Sequence, residues 1–94
     1  MTAKRFDSVW DAIEESPSEA ANMKLRSNLV IAVREMVETW KVTQAEAAKR
    51  LGITQPRMND LMRGRIDKFS LDALMKLAVQ AGLSVHVKVV RPAA

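Results

Sequence analysis

The stretch Thr43 to Gly64, TQAEAAKRLGITQPRMNDLMRG, constrains this chain more than any other. It reads as two short helices around one corner. Thr43 is placed to cap a first helix of good helix formers from Gln44 to Arg50. Leu51 and Gly52 then supply an apolar anchor and a residue that tolerates the left-handed conformation a reversal requires. Beyond Gly52, Ile53 is an apolar residue suited to burial, Thr54 is placed to cap a second helix, and Pro56 falls in its first turn, where a missing N–H costs little. The second helix is predicted to run to Arg63 and stop at Gly64.

Within this stretch Ala47, Ala48 and Leu51 share one helical face, and Met58, Leu61 and Met62 share another, so the two apolar stripes can meet. Small Ala48 permits a close crossing. These positions fit a helix-turn-helix, in which the first helix crosses the nucleic-acid backbone and the second enters the DNA major groove. A bland α-helical hairpin could share the apolar pattern. It has no need of Gly52 at the turn, of two Thr-Gln starts, or of arginines at positions 57, 63 and 65.

Ninety-four residues suit one domain with a modest core, small enough for oligomerisation to add stability. Aromatic residues are scarce, whereas Ala, Leu, Val and Met are plentiful, which favours a helical core of aliphatic side chains. The absence of cysteine excludes disulfides and thiolate metal sites. The first residues, MTAKRFDSVWD, lack a continuous apolar run, and no stretch reaches transmembrane length, so a soluble cytoplasmic protein with no membrane partner is expected. Charge is unevenly spread. Residues 1–22 hold two basic and five acidic side chains, net −3, and the remainder holds thirteen basic and six acidic, net +7. A basic body attracts phosphate, while the acidic leader is either solvated or turned towards a basic partner.

Taken in order, residues 6–14, FDSVWDAIE, are predicted to form a short helix capped by Asp7 or Ser8, with Val9, Trp10 and Ile13 on its apolar side. Ser16-Pro17-Ser18-Glu19 is a strong helix start, with a cap, a proline in the first turn and a capping-box glutamate. From there to Trp40 or Lys41 no helix breaker intervenes, and Leu25, Leu29, Ala32, Val33, Met36, Val37 and Trp40 recur at spacings of three and four. The N-terminal half of this long helix has only a weak stripe and is expected to stand proud of the core, with Trp40 as a lid. After Gly64 comes a connector, Arg65 to Phe69. Ser70 then caps a helix from Leu71 to Gln80 that Gly82 closes, packed through Phe69, Leu71, Leu74, Met75, Leu77 and Ala78.

The final segment, LSVHVKVV, sets Val85, Val87 and Val89 on one face and His86 and Lys88 on the other, and reads as a strand. One strand needs a partner. The rest of the sequence has no clear second strand, so the expectation is pairing with a second copy through Val85, Val87 and Val89. Such a two-fold dimer would present two second helices to successive major grooves of a palindromic operator.

With Met58 and Leu61 inward, Gln55, Pro56, Arg57, Asn59 and Asp60 are left for the groove or its walls. Gln55 or Asn59 suits an adenine edge, and Arg57 suits guanine N7 and O6 or a phosphate. Asp60 either accepts from cytosine or orients Arg57 or Arg63. Gln44 can bond a phosphate beside the exposed N–H groups of its helix, and Arg63, Arg65 and Lys68 extend a phosphate track, with Thr43 and Thr54 at the two helix starts completing the predicted DNA-contact set. Catalysis finds no support. His86 is the single histidine, no nucleophile-base or metal-ligand spacing is present, and no cofactor is implied.

TQAEAAKRLGITQPRMNDLMRG resembles the helix-turn-helix of the Cro/phage-repressor class, the XRE family. The flanking SVWDAIEESPSEAANMKLRSNL and KFSLDALMKLAVQAGLSVHV resemble the small XRE-type antitoxins related to the HigA group. The resemblance and the periodicity together imply an all-α, five-helix, Cro/repressor-like helix-turn-helix bundle with a short C-terminal β-strand that pairs between subunits. Its expected parts are an acidic arm with a short helix at 1–22, the DNA-binding domain at 23–82, and the strand and tail at 83–94. Such antitoxins are typically homodimers that bind operator DNA at their own operon and neutralise a RelE-like ribonuclease toxin; a repressor without a toxin partner is the alternative. The acidic leader would then cover a basic, RNA-binding toxin surface, with Phe6, Trp10 and Ile13 as anchors. Pro56 and Asp60 stand where many relatives carry Gln, Ser or Arg, so base contacts do not transfer from other repressors.

Overall fold

A computed structural model describes residues 16–93. It contains α1 (Pro17–Trp40), α2 (Gln44–Leu51), α3 (Gln55–Met62), a short 3-10 turn (Ile66–Lys68) and α4 (Leu71–Gln80). Each α-helix starts on a hydroxyl: Ser16, Thr43, Thr54 and Ser70 accept from the backbone N–H of Glu19, Glu46, Arg57 and Ala73 at 3.0–3.3 Å. A cap of this kind contributes about 1 kcal/mol. For the two eight-residue helices, too short to persist alone, that contribution matters.

Helix α1, 24 residues and so about 36 Å long, is the spine. Its buried side chains are Val30, Val33 and Val37. It packs against α4, the 3-10 turn and α3, while α2 packs on α3 and α4. One continuous core results, built from these valines with Ala47, Ala48, Leu51, Met58, Leu61, Phe69, Leu74, Leu77, Ala78 and Ala81. The first two turns of α1 stay largely exposed. At its other end Lys41 reverses the chain with φ 54°, a left-handed conformation that glycine usually supplies.

Two features of the expected fold are corrected. The described residues hold four α-helices rather than five; the additional helix was expected over residues 6–14, which lie outside them. The expected C-terminal β-strand does not form, because residues 83–93 carry no strand. A strand is defined by a ladder to a neighbouring backbone, and the described chain offers this segment none. The alternation that suggested a strand has another use. Leu83 and Val85 are half-buried against the core, while Val87 and Val89 are exposed. An extended tail laid along two helices repeats its buried side every second residue, as a strand does. The strand pairing between subunits through Val85, Val87 and Val89 is therefore withdrawn.

Candidate nucleic-acid interface

The geometry of the site begins at Gly52, whose φ of 72° turns the chain between α2 and α3. The corner is closed by backbone bonds from Gly52 to the Lys49 carbonyl (3.2 Å) and from Ile53 to the Ala48 carbonyl (3.0 Å). Ala47, Ala48 and Leu51 then meet Met58 and Leu61, and the last two are completely buried. These two side chains set the rotation of α3. At about 100° per residue, Pro56, Asp60 and Arg63 come to lie opposite the core, Gln55 and Asn59 on one flank, and Arg57 on the other.

Gln55, Pro56, Asn59 and Arg63 are all exposed, so α3 offers solvent a surface of two amides and one guanidinium. Thr54 lies at the start of that surface, with its hydroxyl engaged as the cap. Thr43 and Gln44 are exposed at the start of α2. Gln44 lines a small cleft with Lys41 and Met62, which places it beside the far end of α3. Arg65 and Lys68 are exposed on the connector that follows.

Arg57 is engaged within the protein. Its Nη1 donates to the Lys68 carbonyl at 2.9 Å, its guanidinium stacks 5.2 Å from the Phe69 ring, and it lies 4.0 Å from the Asp60 carboxylate. On the opposite side of the helix from Asn59, it faces the connector and α4. Arg26 of α1 grips the same connector, donating from Nη1 to the carbonyls of Ile66 (3.1 Å) and Phe69 (3.3 Å). Asn22 holds Arg26 in turn, accepting from its Nε at 2.7 Å. Segment 65–69 is thus tied down by two guanidiniums. Arg26 was not anticipated from the sequence, and the only local signal is its spacing of four from Asn22; the carbonyls it binds lie forty or more residues away.

Two further contacts stiffen the frame. The Gln80 amide of α4 donates to the Arg50 carbonyl at the end of α2 (3.2 Å), and the Arg50 guanidinium stands 5.2 Å over the Trp40 ring. Trp40 is accordingly a partly buried lid on the core. Among the described residues no group of three His, Asp or Glu side chains is placed to hold a metal ion, and no helix is long and apolar enough to cross a membrane.

A family profile described as a helix-turn-helix domain matches residues 12–90. The chain belongs to that helix-turn-helix family. A solved structure assigned to the XRE family of transcriptional regulators superposes with a TM-score of 0.72 at 27% sequence identity, over 79% of this chain and 83% of that one. No curated protein gives a significant match. The helix-turn-helix is a non-enzymatic, DNA-binding frame, and in this chain Gly52, the two threonine caps and the Met58/Leu61 anchors build it. Phe6, Trp10 and Ile13, the predicted toxin contacts, lie outside the described residues.

Proposed function

We propose that the protein is a sequence-specific DNA-binding transcriptional regulator that inserts α3 into the major groove. The observation that carries this reading is the α3 surface: Gln55, Asn59 and Arg63 are exposed on a helix whose rotation is set by Met58 and Leu61. In this reading Gln55 and Asn59 read base edges, where an amide can bond adenine bidentately, and Pro56 packs on the groove wall. Arg63, Arg65, Lys68 and Gln44, with the free N–H groups at the start of α2, hold phosphates on either side. Arg57, tied to the connector, positions that segment for its phosphate contacts.

Two copies on a palindromic operator would place two α3 helices in successive major grooves. The dimer surface proposed for them is the apolar flank of α4 and the tail, where Met75, Val79, Val87, Val89 and Val90 are exposed, Val79 at 64% and Val89 at 89%. Exposed apolar groups that share a surface mark interaction sites. The side chains of Met75 and Val87 line a groove between α1, α4 and the tail. The opposite flank of α4, carrying Lys76 and Gln80, turns towards Arg57 and the helix-turn-helix.

The test is selection of a duplex from a random library, followed by titration against salt. The expected result is a preferred sequence whose binding weakens linearly in log K against log salt; absence of binding to any duplex at low salt overturns the proposal. A narrower reading makes the protein an antitoxin that represses its own operon and neutralises a RelE-like toxin through residues 1–22. Its support is the net charge of −3 there against +7 elsewhere. Co-purification with the product of a neighbouring gene, comparing the full chain with one starting at Asn22, decides it. Undiminished capture by the shorter chain removes the leader from the interface, and capture of nothing by either leaves the regulator reading alone.

A further inference from the structure

Asp60 has no obvious place on a surface that approaches phosphates. It sits on the groove-facing side of α3, yet its side chain is only 20% exposed, because two guanidiniums flank it: Arg57 Nη1 at 4.0 Å and Arg65 Nη1 at 3.8 Å. Helix stability does not account for a carboxylate here. Asp60 lies in the last turn of α3, where the helix dipole disfavours negative charge. Its pairing with Arg57 at i,i+3 also has the basic residue on the N-terminal side, the weaker order for an ion pair along a helix. Both pairs are long and both arginines are about half exposed, at 49% and 43%. Such contacts are weak and are exchanged for a stronger partner at little cost.

We infer that Asp60 determines specificity by occupying Arg65, so that this guanidinium is not free to grip phosphate until α3 is seated in a matching groove, while Arg57 stays on the Lys68 carbonyl and the Phe69 ring. The inference rests on the DNA-binding reading. On mismatched DNA the carboxylate offsets the two arginines and repels the backbone, which holds sequence-independent affinity down. On the matching sequence the base contacts of Gln55 and Asn59 bring phosphates close enough for Arg65 to change partners. Asp60 thus acts through its neighbours and reads no base itself.

Asp60→Asn keeps the size and removes the charge. Binding to a random-sequence duplex and to the duplex selected by the wild type is measured across salt concentrations, with a thermal melt as control. For Asp60→Asn the random duplex is expected to bind about three- to tenfold more tightly at low salt, with the slope of log K against log salt steeper by about 0.9 for the release of Arg65. Affinity for the selected duplex rises less, so the specificity ratio falls, and the melting temperature does not drop. In a background of Arg65→Ala most of this effect disappears. Loss of binding to the selected duplex alone makes Asp60 a base reader and overturns the inference. Unchanged affinities overturn it too, as does a gain that persists in full without Arg65. A wild type that binds no duplex overturns the DNA-binding reading itself.

Discussion

Replacing Gly52 by alanine separates the conformational demand of the corner from every packing effect. The residue sits at φ 72°, and a Cβ added there meets nothing within 4 Å. The backbone bonds that close the corner, from Gly52 and Ile53, do not involve a side chain and survive the change. Only the backbone preference is left. A left-handed conformation costs an L-residue about 1–2 kcal/mol, of which about 0.4–1 kcal/mol is offset because alanine also restricts the unfolded chain. The net expectation is a loss of about 1 kcal/mol, equivalent to a Tm lower by about 4–8 °C for a domain of this size. Urea denaturation followed by circular dichroism measures it, with an unchanged m-value as the sign that folded and unfolded states keep their compactness. Gly52→Asn should lose less, since asparagine tolerates this region better. A loss above about 3 kcal/mol would require a steric clash that the corner does not contain, and a gain in stability would mean the corner does not hold its left-handed conformation in solution. Either refutes the reasoning.

The same physics runs backwards at Lys41, a non-glycine residue at φ 54°; Lys41→Gly is expected to be neutral or to stabilise by up to about 1 kcal/mol in the same denaturation assay. Leu61→Ala removes a fully buried side chain from between α3 and the core and should cost about 2–5 kcal/mol, with DNA binding lost in proportion to unfolding. Asn59→Ala and Gln55→Ala are exposed changes that should leave the melt unmoved and cost about 1–3 kcal/mol of binding to the selected duplex, with relaxed choice at one base pair each. Arg63→Ala should weaken all duplexes evenly and flatten the salt slope by about 1. Arg57→Ala should do more than lose a charge: it frees the Lys68 carbonyl and the face of Phe69, so hydrogen exchange in residues 65–69 should quicken along with the loss of affinity.

Local rules carried far in this chain. All four described N-caps are hydroxyl residues that stand where a helix start was expected, and Pro17 and Pro56 both lie in first turns. The inward faces of α2 and α3 follow from spacing alone, since two short helices joined by a tight corner have few ways to bury Ala47, Ala48, Leu51, Met58 and Leu61. Where several faces of one element compete, the pattern was less decisive. In α1 the core took Val30, which the stripe had omitted, while Leu29 and Met36 are only partly buried. The apolar residues of this helix spread around more than half its circumference, and which arc faces inward depends on where α4 settles.

The C-terminal segment and the arginines mark the boundary between the two kinds of information. Alternating valines are common to a paired strand and to an extended tail laid on helices, because both expose one side every second residue; only the presence or absence of a neighbouring backbone distinguishes them. Arg26 and Arg57 likewise read as surface charges until the fold brings the carbonyls of Ile66, Lys68 and Phe69 to them. What the sequence by itself determined is what depends on neighbours within about four positions: the helices, their caps, the Gly52 corner and hence the helix-turn-helix. The tertiary structure alone decided the fate of the tail and the division of the arginines between exposed and connector-holding positions, because hydrogen bonds over 11 to 43 residues of separation leave no periodic trace in the chain.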